Sequence, residues 1–354
     1  MDRHLLIPGL EHIEAQPDWA LLRSVLLREV ITERVPFMEL FLDEEVQSAV
    51  LGRTATRFED TAEVMLRLGY HNIPFRITPS FSRTSHQTED TAQLSRHDRD
   101  WVMAGSGLIR TREDFERYPW PALDESVAAK LEHAASVLPE GMAITLRTSG
   151  VLDNVLRILS YEGASEMLYD DPGLFGDVVD KVGTALLEAH RQCVTCEQVA
   201  ATFFGDDMGF KTSTMISPKH IRAFILPWHK RIAELFHQHD KLFLLHACGQ
   251  VDAVMNDLID DVGIDAKHSY EDIIEPVWSI KQKYGDRIGI VGGVDMDVLA
   301  GGTPEEVAAY TSKVLETCAS GGGYALGSGN SIANYVPLEN YFTVLRTGWD
   351  FRLG

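Results

Sequence analysis

Short apolar runs along the chain alternate with longer stretches whose apolar positions recur at helical spacing. That alternation points to strands joined by helices. It predicts strands over 35–42, 70–77, 143–148, 199–204, 242–248, 264–268, 288–294 and 323–328. Helices are expected over 21–31, 61–68, 251–259 and 277–283. A long helical region after 148 should break at Asp170-Asp171-Pro172-Gly173, because proline starts a helix and cannot continue one. Ser217-Pro218 and Thr303-Pro304-Glu305-Glu306 read as helix starts, the second with a capping box. Gly69 reads as a helix stop.

Strand–helix alternation implies parallel pairing, and eight such units fit a closed (β/α)8 barrel of α/β class. A doubly wound open sheet is the second architecture. Residues 78–126 interrupt the repeat with Thr84-Ser85-His86-Gln87, a charged run from Arg96 through His97 to Asp100, and Tyr118-Pro119-Trp120-Pro121. So long a connection is expected to be a lid-like insertion over the barrel mouth. No low-complexity tract or hinge divides the chain, so residues 1–354 read as one domain.

Polar residues collect at the predicted strand ends. Glu39, Arg147, Asp206, Asp207, His246, Cys248, Lys267, His268, Asp295 and Ser328 all lie within or just after strands. Barrel enzymes carry their chemistry at that face. The sharpest signal is Leu244-Leu245-His246-Ala247-Cys248-Gly249. In extended chain, residues two apart share a side, so His246 and Cys248 would project together. An imidazole beside a thiol suits zinc.

Composition narrows the setting. The chain has 354 residues, 45% hydrophobic and 24% charged, ample for a core. Its formal net charge of -21 argues against nucleic acid or an anionic membrane surface as a main partner. No signal peptide or transmembrane run is read, and a cytoplasmic protein is expected. The 4 cysteines, Cys193, Cys196, Cys248 and Cys318, are too few for a disulfide framework. Cys193-Val194-Thr195-Cys196 sits in a helical pattern with no second pair, and is read as structural.

Around His246-Ala247-Cys248-Gly249 the sequence resembles the uroporphyrinogen decarboxylase superfamily, and within it the zinc-dependent methyltransferases of corrinoid systems. Arg34-Val35-Pro36, Gly69-Tyr70, Ser217-Pro218, Leu226-Pro227, Tyr284-Gly285-Asp286-Arg287, Gly292-Gly293-Val294-Asp295, Gly301-Gly302-Thr303-Pro304-Glu305-Glu306 and Val336-Pro337-Leu338-Glu339-Asn340 carry the likeness in order over most of the chain. The resemblance implies a barrel. The decarboxylase branch uses an arginine-rich N-terminal segment that this chain lacks, and His71 stands near where an acidic residue is expected.

The methyltransferase branch implies zinc on His246 and Cys248. It also implies a second cysteine at the eighth strand, where this chain has Ser328. Asp206, Asp207 and Glu39 are the candidates to complete the site, since carboxylate oxygen is an acceptable zinc donor. His268, His71 and Asp295 are candidate catalytic residues; Arg147, Lys267 and Ser328 are candidate substrate contacts. The implied reaction moves a methyl group between a small substrate, such as a methoxylated aromatic, and a corrinoid (cobalamin) on a partner protein. This chain contains no corrinoid-binding D-x-H-x-x-G module. Two alternatives stand beside it. One is decarboxylation of a tetrapyrrole or other acidic substrate, with Arg147, Arg110 and Lys267 holding carboxylates. The other is a non-catalytic corrinoid-protein scaffold. A homo-oligomer is left open.

Overall fold

The structure is a computed structural model describing residues 1–82, 85–96, 98–102, 107–122 and 124–353, without the side chains of 85–87 and 98–102. Thr84 and His97 lie outside the described residues. Nine strands occur among them: β1 Asn72–Arg76, β2 Ser85–Glu89, β3 Asp98–Val102, β4 Ala143–Ser149, β5 Val199–Gly205, β6 Leu242–His246, β7 Ala266–His268, β8 Gly289–Val291 and β9 Tyr324–Ala325. Seven of them form one parallel sheet in the order β1-β4-β5-β6-β7-β8-β9, with helices between successive members. A parallel strand is covered on both faces, which is why β6 reads Leu-Phe-Leu-Leu-His without polar alternation.

The sheet curls into a barrel that closes through residues 35–42. Phe37 bridges to Tyr70 on one side and to Leu326 on the other, and Leu42 bridges to Ile332. The expected first strand is therefore reduced to isolated bridges. Pro36 and Pro74 each remove an N–H donor from the two strands that meet at this seam. The other predicted strands appear with shorter limits, most of all β9, which follows three consecutive glycines at positive φ.

Inside the barrel sit Met38, Leu40, Ala201, Phe203, Leu242, Leu244, Ala266, Val291 and Ala325. Leu22 and Leu26 join them from the helix Trp19–Leu26. The carbonyl of Leu26 lies 2.8 Å from where a Cβ on Gly289 would stand, so this helix plugs the N-terminal end of the barrel. Outside, the helix Pro172–Val194 starts after Asp171, whose carboxylate accepts from Leu174 N. It packs on the helix Leu226–His237 so closely that a Cβ on Gly183 would fall 2.1 Å from Trp228 Cδ2.

Residues 78–126 carry the antiparallel β2–β3 hairpin and the helix Arg112–Arg117. Asp90 accepts from Asn334 Nδ2 at 2.6 Å and Arg96 pairs with Asp43 at 2.5 Å. These contacts tie the segment to the loops beyond β9 and the seam, at the C-terminal face. Cys193 and Cys318 are buried in helices facing the outer core, and burial pushes their thiols up to about 12 and about 11. Among the described residues no helix is long and apolar enough to cross a membrane.

Candidate metal centre

Alternation along β6 turns Leu242, Leu244 and His246 inward. His246 is the last residue of its strand and pairs in register with His268 of β7, so the two rings meet inside the barrel. Their Nδ1 atoms are 2.9 Å apart, and His268 Nε2 lies 3.0 Å from the carbonyl oxygen of Ser328. Burial, followed by the neighbouring His246, holds His268 well below the usual histidine range. Burial, followed by Lys267, lowers His246 to about 3. Both rings are therefore neutral near neutrality.

Two neutral rings allow one consistent proton assignment. A carbonyl only accepts, so His268 carries its proton on Nε2 and donates to Ser328. Its Nδ1 is then an acceptor, and His246 must donate to it from Nδ1. The lone pair of His246 is left on Nε2, which points at Asp207 and Cys248. Ligating histidines are commonly oriented by such a partner behind the ring.

The loop after β6 brings in the sulfur. Gly249 has φ +77°, and a Cβ there would lie 2.3 Å from the carbonyl carbon of Gly209. Only glycine lets the loops after β5 and β6 press together this way. Across that contact, Cys248 N donates to Asp207 Oδ1 at 2.8 Å, and Gly209 N donates to Cys248 O at 3.1 Å. Cys248 Sγ lies 3.4 Å from His246 Nε2 and accepts from Ser269 Oγ at 3.2 Å and Asn330 Nδ2 at 3.3 Å. Ser269 sits at φ +81°, a strained backbone for a residue with a Cβ, and the strain aims its hydroxyl at the sulfur.

Asp207 Oδ1 lies 3.6 Å from His246 Nε2, and one ligand atom each from Asp207, His246 and Cys248 falls within 4.8 Å of the other two. Ligands about 2.0–2.3 Å from a zinc ion at tetrahedral angles stand roughly 3.5 Å from one another. The 3.4 and 3.6 Å separations from His246 Nε2 match that edge. Burial and then the Asp207 charge push the Cys248 thiol up, a cost that a bound cation would reverse. The Asp207 side chain is 37% exposed against 9% for His246, so the cluster is open on the carboxylate side. The nitrogen, sulfur and oxygen donors fit a three-ligand zinc site with one free position.

Several sequence expectations fall elsewhere. Asp206 faces away from Asp207. Its carboxylate accepts from Val151 N, Leu152 N and Asp153 N, the exposed donors of the helix Val151–Leu159, and from His229 at 2.7 Å. It is a buried helix cap, with no oxygen left for a metal. Glu39 accepts from Ser328 Oγ at 2.7 Å and Ser328 N at 2.9 Å, two links behind the ligands. Ser328 thereby joins Glu39 to His268, its hydroxyl donating to the carboxylate and its carbonyl accepting from the ring.

His71 precedes β1 at the opposite end of the barrel, where its Nδ1 accepts from Asp18 N at 2.9 Å. Asp295 caps the helix Met296–Gly301 and accepts from Asp272 N. Lys267 alternates outward from β7 and donates to the carbonyls of Ala247, His268 and Ser269. Its three protons are spent there. Arg147 points into the barrel with its Cζ 3.8 Å from the centre of the Phe41 ring. Ser269, Asn330 and Gly209 escaped the sequence reading, because nothing in their local pattern marks loop residues that meet Cys248, the first two at its sulfur and the third at its carbonyl.

A relative from Methanosarcina mazei, named methylated-thiol–coenzyme M methyltransferase, is 31% identical over 136 residues, 38% of this chain and 34% of that protein. The match thus spans about a third of the relative's length. A solved structure described as a methyltransferase from Methanosarcina mazei superposes with TM-score 0.68 at 17% identity, covering 93% of this chain and 97% of that one. That likeness is one of fold. The uroporphyrinogen decarboxylase (URO-D) family model matches residues 107–348, a span holding strands β4 to β9 and all three members of the Asp207–His246–Cys248 cluster, and the chain belongs to that family.

Proposed function

We propose that this chain is a zinc-dependent methyltransferase that moves a methyl group between a small substrate and a corrinoid carried by a partner protein. The observation that carries the reading is the cluster itself. A histidine with its proton fixed on the far nitrogen, a sulfur and a carboxylate converge at the open end of a barrel. His246, Cys248 and Asp207 would hold the ion, which when bound supplies Lewis acidity toward the atom that carries or receives the methyl group.

The remaining groups position and shield. His268 holds the His246 ring, and Ser269 and Asn330 donate to the sulfur and temper its charge. Residues 78–126, anchored beside the mouth through Asp90 and Arg96, would wall the substrate from water. One carboxylate and one thiolate make a harder site than two thiolates. This supports a methyl ether, such as a methoxylated aromatic, as donor. The name of the Methanosarcina mazei relative supports a second reading, with a methylated thiol in that place. Of the residues that decarboxylation of an acidic substrate would call on, Lys267 has its protons already bound by main chain.

Purified protein should carry close to one zinc per chain by elemental analysis, and His246→Ala and Cys248→Ser should lose it. With cob(I)alamin and a methoxylated aromatic, the absorbance of methylcobalamin should grow. Metal-free wild-type protein grown with ample zinc, together with no methylcobalamin from ethers or thioethers, would overturn the proposal.

A further inference from the structure

Glu39 and Ser328 stand 289 positions apart in sequence and meet across the seam of the barrel. Ser328 N and Ser328 Oγ donate to the two oxygens of the carboxylate, at 2.9 and 2.7 Å, and Leu40 N adds a third donor at 3.3 Å. Ser328 spends its remaining polar capacity on the metal cluster. Its carbonyl accepts from His268 Nε2 at 3.0 Å, and His268 Nδ1 holds His246 at 2.9 Å. Its Oγ accepts from Asn330 N at 3.3 Å, and Asn330 Nδ2 donates to Cys248 Sγ at 3.3 Å. An imidazole arm and a sulfur arm therefore start from one serine, and that serine is fixed by one carboxylate.

The contacts leave little slack. Glu39, Ser328 and His268 are all buried. A Cβ on Gly292 would fall 2.2 Å from the Ser328 carbonyl oxygen, and one on Gly327 would fall 2.1 Å from the carbonyl oxygen of Met38. In such packing a displacement of Ser328 is passed on to both arms. The titratable groups facing Glu39 are the phenols of Tyr70, just before β1, and Tyr341, on the helix Leu338–Asp350. They share a hydrogen bond of 2.8 Å, and burial holds both protonated. Beyond Ser328 stands the neutral His268. Among the described residues Glu39 makes no ion pair. Burial raises its carboxyl to about 7 against the pull of its three donors.

We propose that Glu39 is a positioning residue for the metal centre, holding His246 and Cys248 in place together through Ser328. This rests on the proposed metal centre and not on methyl transfer. A cation held by the two arms gains from a negative charge behind both of them. By linkage, the bound ion in turn draws the proton off Glu39.

The test is competition of the full chain with a chromophoric chelator for zinc, at about pH 6 and about pH 8. The thiolate-to-cobalt charge-transfer band of cobalt-substituted protein is the second readout. Glu39→Gln keeps the volume but turns one acceptor oxygen into a donor, and should bind zinc about tenfold more weakly at the higher pH. That deficit should shrink about fivefold at the lower pH, where wild-type Glu39 is protonated as well. Protons on His246 and Cys248 compete with the ion in both proteins and drop out of the ratio. Glu39→Asp keeps the charge and should recover part of the affinity. Ser328→Ala keeps the N–H and the carbonyl but loses the hydroxyl, so it should shift the cobalt band through the sulfur arm. Thermal melts establish that each variant is folded, and Ser328→Ala decides should Glu39→Gln not fold. A folded Glu39→Gln protein with wild-type zinc affinity, a deficit equal at both pH values, or an unshifted cobalt band in folded Ser328→Ala would overturn the anchor and leave the metal centre standing. Wild-type protein that captures neither ion would overturn both. The expected pattern in a protein without methyl transfer would sink the proposed reaction alone.

Discussion

Replacing His268 with leucine tests the proton assignment behind the metal cluster. The substitution keeps an apolar volume in a fully buried position but deletes two hydrogen bonds, one to His246 Nδ1 and one to the Ser328 carbonyl. Each leaves a buried polar group without its partner, a cost of about 1–3 kcal/mol apiece, so the fold should lose roughly 2–6 kcal/mol. The His246 ring, no longer held, would divide between its two tautomers and between orientations. Loss of such an orienting partner typically weakens metal affinity about 10–100-fold. His268→Gln offers an amide oxygen and an amide N–H toward the same two partners, and should recover part of the affinity. Competition against a chromophoric zinc chelator measures the affinity, and a thermal melt measures the fold. A folded His268→Leu protein that held zinc as tightly as wild type would refute the reasoning, since His246 would then need no partner to present its lone pair.

The two adjacent aspartates should separate cleanly. Asp206→Asn, by disturbing a cap with four partners, should cost about 2–4 kcal/mol in urea melts and leave zinc content intact. Asp207→Asn should weaken zinc binding with little change in the melt; the reverse pattern would contradict the ligand assignment. Burial raises the Glu39 carboxyl from 4.5 to about 7, so the native state binds this proton more tightly than the unfolded chain. Stability from this group is therefore full below the lower value and falls as pH rises through the window, by about 3 kcal/mol in all. Glu39→Gln should flatten that slope in melts taken at the two ends of the window. Gly183→Ala sets a gain in helix propensity of about 1 kcal/mol against overlap with the Trp228 ring. Overlap should win, and a higher denaturation midpoint would show that the two helices can part at little cost.

Much of the fold was legible because parallel strands buried on both faces leave long apolar runs between helical periods. His246 and Cys248 were legible for the same reason, standing at the end of the most uniform of those runs. The seam was harder to read. Residues 35–42 have the composition of a strand, yet Pro36 within them and Pro74 in β1 remove donors where a ladder would be built, and only isolated backbone bridges to Tyr70, Leu326 and Ile332 form. The carboxylates were harder still. Asp206 and Asp207 are neighbours in sequence with opposite fates, decided by a helix start more than fifty residues earlier that fills one and not the other. Lys267 and His268 divide in the same way, one turned out and one turned in by the two-residue period of β7.

The seam has a kinetic consequence. Glu39 belongs to the stretch that joins the first part of the sheet to the last, and it grips Ser328 only once those parts have met. Pairing of segments so remote along the chain is a slow event in folding. Because Ser328 in turn steadies the ring behind His246, tight ion capture should trail the appearance of helical ellipticity during refolding, and the lag between the two signals would time the moment the cylinder shuts.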